Sequence, residues 1–375
     1  MMRFIKVLLI VTGFFFTAAQ GQSLEQKRLP DWALGDFTRP AGVNPIISPD
    51  TSSTFISPIN NTSVSWEAND TFNPGAVVKN GKVVLLYRAE DRFGEGIGKR
   101  TSRIGYAESS DGIHFTRRKA PVLYPANDTQ KELEWPGGCE DPRVAVTSDG
   151  TYVIVYTQWN RKNARLAVAT SRDLIHWTKH GAIFKNAYGG KFYNIWSKSA
   201  SIVTKLDKGK QVIARINGKY WMYWGESNVY LASSTDLVNW EPFVDDKGDL
   251  KVLVSPRMGY FDSVFTECGP PAIVTKKGIL LIYNGKNASG SKGDTSLSEG
   301  VYSAGQLLFD LNDPTKVIGR LDRPFFKPTE AFEKKGQYAA GTVFAQGLVW
   351  FNKKWYLYYG CADSRVAVAV FDCGA

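Results

Sequence analysis

The sequence predicts an all-β fold, a five-bladed β-propeller preceded by an extended N-terminal segment. Three observations carry this. A tyrosine-rich apolar phrase recurs five times, Gly, Pro and Asn/Asp turns punctuate the chain at short intervals, and helical periodicity is nearly absent. The phrases occupy residues 81–88 (GKVVLLYR), 150–157 (GTYVIVYT), 218–224 (GKYWMYW), 278–284 (GILLIYN) and 354–360 (KWYLYYG). Aligned on Tyr87, Tyr156, Tyr223, Tyr283 and Tyr358, they lie 69, 67, 60 and 75 residues apart. That period suits a radial array of small sheets around one funnel.

Residues 1–21 read as a secretory leader. Arg3 and Lys6 charge its start, Val7 to Phe16 form its apolar centre, and small residues offer cleavage after Ala19 or Gly21. The run is too short for a membrane span, so the mature chain is expected to be secreted, into a periplasm. Residues 22–375 are expected to form a single propeller domain. Within it, residues 22–70 are a Pro-, Ser-, Asn- and Thr-rich lead-in lying over the propeller or closing its last blade. From residue 71 each repeat reads strand, strand, turn, strand. The turns carry the pattern Ser-x-Asp followed by an aromatic, as in Ser171 to Trp177 and Ser234 to Trp240. Residues 22–70 and the Gly- and Ser-rich stretch 286–300 are candidates to cover the funnel or to reach a second copy in a homo-oligomer.

Composition removes several function classes. The net charge is +10, or +8 once Arg3 and Lys6 are gone, but the basic residues are scattered and no nucleic-acid module is present. Cys139, Cys268, Cys361 and Cys373 make no disulfide framework. With three His and no CxxC, no metal site and no cofactor are expected. The 11 Trp and 17 Tyr serve a β core and would also suit stacking on sugar rings.

The polar residues gather at equivalent places, just before or after each aromatic phrase. They are Asn73-Pro-Gly-Ala, Arg88-Ala-Glu-Asp91, Gly138-Cys-Glu-Asp-Pro-Arg143, Trp196-Ser-Lys198, Trp224-Gly-Glu226, Thr266-Glu-Cys-Gly-Pro-Pro271 and Gly360-Cys-Ala-Asp363. Carboxylates repeated at one rim suit glycoside cleavage, which needs a proton donor and a carboxylate that activates water. The candidates are Asp141, Glu140, Glu226, Glu267, Asp91 and Asp363. Structural ion pairs are the competing account, joining Glu140 or Asp141 to Arg143 and Asp91 to Arg88 or Arg92. Trp135, Tyr193, Trp196 and Tyr260 lie near the motifs, for packing or for a leaving-sugar subsite.

These motifs, in this order over roughly residues 37–370, resemble glycoside hydrolase family 130, five-bladed propellers acting on β-mannosides. The resemblance implies that Asp141 is the general acid, passing its proton through a hydroxyl of the bound mannose. It implies that Asn73, Arg88, Asp91, Lys198 and Asp363 hold that mannose, and Glu140 is grouped with them. Family hydrolases are similar to this chain in placing two glutamates, here Glu226 and Glu267, where phosphorylases bind phosphate. The expected activity is therefore inverting, exo-acting hydrolysis of β-1,2-mannosides, with a mannose-containing oligosaccharide or glycan as partner. The alternatives are a mannoside phosphorylase making mannose 1-phosphate, a furanosidase of another five-bladed family, and a non-catalytic glycan-binding propeller.

Overall fold

The structure is a computed structural model that describes residues 28–92, 95–96 and 98–373. The expected leader lies outside the described residues. Strands dominate, and the described helices are single turns. A short hairpin, Phe55–Ser57 with Thr62–Val64, precedes the repeats.

Five antiparallel meanders follow in chain order. The first runs Asp70–Lys79, Lys82–Glu90, Ser102–Ser109 and Thr116–Arg117. The second runs Gly138–Val146, Tyr152–Trp159, Ala164–Ser171 and Thr178–Ala182. The third runs Ala200–Asp207, Tyr220–Trp224, Tyr230–Ser234 and Glu241–Pro242. The fourth runs Ala272–Thr275, Gly278–Lys286, Tyr302–Phe309 and Val317–Arg320. The fifth has Val343–Phe351, Lys354–Cys361 and Arg365–Asp372, and the lead-in supplies its outer edge through the bridges Thr38 to Val370 and Ile47 to Val366. The lead-in therefore pairs with the last repeat.

The ladders do not part into five separate sheets. A parallel bridge from Ser102 to Gly138 joins the first two meanders, and Val203 to Ala272 begins a parallel pairing between the third and fourth. The result is an eight-stranded, a ten-stranded and a three-stranded sheet besides the hairpin. At the first junction the backbones meet closely, since a Cβ on Gly138 would sit 2.1 Å from Ser102 O. Neighbouring first strands also approach one another: a Cβ on Gly75 would sit 2.7 Å from Pro142 O, and one on Gly269 would sit 2.9 Å from Ala345 O. Gln346 Nε2 donates to both Asn73 O (2.6 Å) and Pro142 O (2.8 Å), tying the fifth meander to the first two.

The apolar residues fall into five clusters, one between each consecutive pair of meanders and one between the fifth and the first. Each second strand feeds two of them. Val83, Leu85 and Tyr87 face the fifth meander, while Val84 and Leu86 face the second. Alternation with both faces buried is why the repeated phrase reads as a continuous apolar run.

The structure corrects the alignment of that phrase. Tyr87, Tyr156 and Tyr283 point toward the preceding meander, but in the third and fifth the equivalent residues are Trp224 and Tyr359. Tyr223 and Tyr358 point the opposite way, because a one-residue slip reverses a strand's faces. The corrected set shares a hydrogen bond. Tyr87, Tyr156, Tyr283 and Tyr359 donate to the buried carboxylates Glu67, Glu134, Asp262 and Glu333 at 2.6–2.8 Å. Each carboxylate also meets a cation: Arg117, Lys179, Arg320 and Arg39 respectively. The third repeat lacks the acid, and there Trp224 Nε1 is buried without a partner.

Candidate active site

The motif residues collect where the first strands begin. Three of those strands carry a bulge at this end, at Phe72/Pro74, at Glu140/Arg143 and, in the fifth meander, at Ala345/Gly347. Asn73 and Asp141 sit in the first two with φ of 46° and 48°, and Ser199, just before the third meander's first strand, has φ 57°. A bulge in left-handed conformation turns a side chain out of the normal alternation. Here it brings Asn73 Nδ2 to within 2.9 Å of Asp141 Oδ1.

Asn73, Arg88, Glu140, Asp141, Lys198, Glu226, Glu267 and Asp363 line one pocket of about 250 Å³. Of the expected site residues, only Asp91 is elsewhere. Its carboxylate binds Arg103 Nη1 at 2.7 Å and accepts from Thr101 N at 2.8 Å, and it lines a neighbouring cavity. Glu90 takes the expected place instead. Period-two alternation explains this: Glu90 shares a strand face with Arg88, and Asp91 does not. That signal was legible in Arg88-Ala-Glu-Asp91.

Arg88 organises one side. Its Nη2 meets Glu90 Oε1 (2.7 Å) and Glu140 Oε1 (2.8 Å), its Nη1 meets Asp141 Oδ1 (3.1 Å), and its Nε donates to Ser102 Oγ (3.1 Å). Its guanidinium stands 4.7 Å from the Phe72 ring centroid. Lys198 Nζ lies 3.6 Å from Glu140 and 3.7 Å from Asp141. Arg100 bridges Glu90 (2.9 Å) to Asp70 (2.6 Å). Arg143 is fully committed to structure: it donates to Gly269 O, Asp141 O, Cys268 O and Ser199 Oγ. It makes no side-chain pair with Glu140 or Asp141, so the ion-pair account of those acids rests on Arg88 and Lys198.

The opposite side carries Glu226 and Glu267. Trp196 Nε1 donates to Glu226 Oε2 at 2.9 Å, and Ser199 Oγ donates to Glu267 Oε1. Trp196 is half exposed and packs edge-on against Trp159 at 5.7 Å. Trp159, Tyr302, Tyr338, Phe344 and Thr342 add to the wall. Sequence reasoning missed the four aromatics because none lies in a charged motif. Of the four nearby aromatics, Trp196 lines the pocket, Trp135 lines the neighbouring cavity, and Tyr193 and Tyr260 line neither.

The electrostatics divide the acids. For Asp141, burial acts to raise the pKa, but Arg88, Lys198 and Arg143 outweigh it, so the carboxyl is held well below the usual range. The expected general acid is therefore a carboxylate in this arrangement. Glu140 is raised by burial against the pull of the same Arg88 and Lys198. Burial pushes Asp363 up to about 7. Burial and the neighbouring Glu226 push Glu267 up to about 8. Asn73 Oδ1 and Thr342 Oγ1, on two residues of the pocket wall, are buried without a hydrogen-bond partner. Cys139, Cys268 and Cys361 are buried free thiols, and burial raises the pKa of each. They fill small spaces beside the site. Among the described residues no group of three or more His, Cys, Asp or Glu is arranged to hold a metal ion.

A profile of the family Glyco_hydro_130, described as β-1,4-mannooligosaccharide phosphorylase, matches residues 39–374. The chain belongs to glycoside hydrolase family 130. It is 34% identical to the 1,2-β-oligomannan phosphorylase of Thermoanaerobacter sp. (strain X514) over 312 residues, 82% of this chain and 91% of that one. A solved glycosyl hydrolase from Bacteroides ovatus is 63% identical, covers 93% of this chain and 96% of its own, and superposes with a TM-score of 0.91. A further structure, 61% identical with TM-score 0.91, covers 93% of this chain and 97% of its own. It comes from work describing family 130 mannoside phosphorylases as containing glycoside hydrolases that target β-1,2 mannosidic linkages in Candida mannan. This family member is thus an all-β, mannoside-acting enzyme.

Proposed function

We propose that the chain is an exported five-bladed propeller that hydrolyses β-1,2-mannosides from the chain end with inversion. The propeller reading is supported by five meanders with five interleaved cores and by the contacts that return from the fifth meander to the first. The linkage is supported by the names of the relatives, which act on β-1,2-mannosides.

One observation favours water over phosphate as the attacking group. Six carboxyl side chains line the pocket (Glu90, Glu140, Asp141, Glu226, Glu267, Asp363) against three cations (Arg88, Arg100, Lys198), and all three cations are paired on the Asp141 side. A phosphate dianion at the Glu226–Glu267 end would meet carboxylate charge with no unpaired cation among the described lining residues to offset it. Below about pH 8 Glu267 keeps its proton, so the pair shares its charge and Glu226 is the base that takes the water proton.

Asp141 serves as the acid once sugar hydroxyls insert between it and its cations. Losing Arg88 or Lys198 lets the carboxyl take up a proton, and that proton then passes through a mannose hydroxyl to the leaving oxygen. Asn73, Arg88, Glu140, Lys198 and Asp363 hold the mannose. Glu90 takes the place expected of Asp91.

Phosphorolysis is the second reading. It is supported by the curated relatives, which are named phosphorylases at 34% and 31% identity, and by those names it fits better than hydrolysis. The test is incubation with β-1,2-mannobiose with and without inorganic phosphate. Free mannose independent of phosphate supports hydrolysis. Mannose 1-phosphate that appears only with phosphate overturns it.

A further inference from the structure

Beside the catalytic pocket lies a second cavity of about 560 Å³. The two are back to back. Strands Lys82–Glu90 and Ser102–Ser109 form the wall between them, with Glu90 opposite Ser102 and Ala89 opposite Arg103. Arg88, Glu90 and Ser102 face the catalytic pocket, while Asp91 and Arg103 face the second cavity. The far wall is the hairpin Phe55–Ser57 with Thr62–Val64, seated through the Phe55 ring 5.2 Å from the Arg103 guanidinium.

Most of the lining is uncharged and polar, as a polyol's hydroxyls require. Ser63 and Ser65 present hydroxyls that make no side-chain hydrogen bond among the described residues, and Asn60 presents an amide. Trp135 adds a half-buried ring. Asp91 supplies the one carboxylate among the described lining residues; Arg103 pairs with it at 2.7 Å, and the half-exposed Arg92, 3.9 Å from it, leaves the rim with one positive charge. Hydroxyl and amide groups bind sugar hydroxyls in both directions, and an indole takes an apolar sugar face.

We propose that this cavity is a second glycan-binding site, which holds a distal stretch of a mannan while its end occupies the catalytic pocket. The proposal rests on the mannoside reading above. A second contact on the same chain raises the effective concentration of ends at the catalytic pocket, so it favours long substrates and leaves short ones unaffected.

The test compares the parent enzyme with Ser63→Arg, which fills the cavity from an exposed position, and with Trp135→Ala. Initial rates are measured on β-1,2-mannobiose and on a long β-1,2-mannan. The expected result for Ser63→Arg is a KM for the polymer raised by roughly five- to tenfold with disaccharide kinetics unchanged. Trp135→Ala should shift the polymer in the same direction. Equal effects on both substrates, or none on either, overturn the proposal. If the parent turns over no mannoside, the functional reading fails separately. Retardation of the parent, but not of Ser63→Arg, in a mannan-containing gel then decides the cavity by itself.

Discussion

Trp196 Nε1 donates to Glu226 Oε2 at 2.9 Å, and no other side-chain hydrogen bond to Glu226 is found among the described residues. The indole is half exposed, lies in the pocket wall and leans on Trp159. One side chain thus connects the surface that meets the sugar to the proposed base.

That link predicts a divided outcome. Trp196→Phe keeps a ring and loses the N–H, so kcat should fall about tenfold while KM holds, with the pH profile of kcat displaced. Trp196→Ala should also raise KM. A Trp196→Phe variant with parental kcat and pH profile would remove Trp196 from the catalytic argument.

Asp141→Asn should lower kcat by roughly 10²–10⁴-fold, the usual contribution of a general acid. Arg88 would retain Glu90 and Glu140 as partners, so the melting temperature should stay close to that of the parent. Near-parental turnover in this variant would falsify the proton-donor role.

Glu267 makes stability depend on pH. Its pKa rises from 4.5 to about 8 on folding, so the native state keeps a proton that the unfolded chain has already lost. Its contribution is fully present below pH 4.5 and is lost as the pH rises toward 8. Denaturation midpoints measured from pH 5 to 8.5 should decline in the parent and decline less in Glu267→Gln. Identical slopes would contradict the raised pKa.

The buried triads predict an asymmetry. Lys179→Ala leaves Glu134, which has no solvent-exposed surface, with neutral partners such as Tyr156 and Gln158, and should cost about 3–5 kcal/mol. Lys179→Ala combined with Glu134→Gln should recover part of that loss. Chemical denaturation of the single and double variants measures it, and equal losses would argue against an uncompensated charge.

Replacing Arg88 tests the other cluster. Arg88→Ala leaves Glu90 with Arg100 alone and Glu140 and Asp141 sharing Lys198, and should destabilise by several kcal/mol, on the order of 3–5. Because Arg88 also holds Asp141 ionised, removing it raises the pKa of the proposed acid, so the basic limb of the activity profile should move to higher pH in any residual activity. Parental stability in this variant would contradict the pairing.

Much of the molecule was legible in the linear chain. Apolar runs bounded by Gly and Asn–Asp turns were enough to recognise repeated strands, since a strand buried on both faces needs nothing more specific. The motif residues were legible too, because Asn73, Asp141, Lys198, Glu226, Glu267 and Asp363 stand at corresponding places in successive repeats. The phase of the phrase was not legible. Tyr223 and Trp224 are both aromatic and both buried, and only packing shows which faces the preceding meander.

The sequence by itself determined the strand content, the order of the repeats and the set of polar residues at one end. The tertiary structure decided which of them share a pocket. It placed Glu90 rather than Asp91 beside Arg88, through alternation across a single strand. It also set the charges, holding Asp141 as a carboxylate and leaving a proton on Glu267. Those depend on through-space distances to Arg88, Lys198 and Glu226 and on the loss of solvent, neither of which is written in the order of residues.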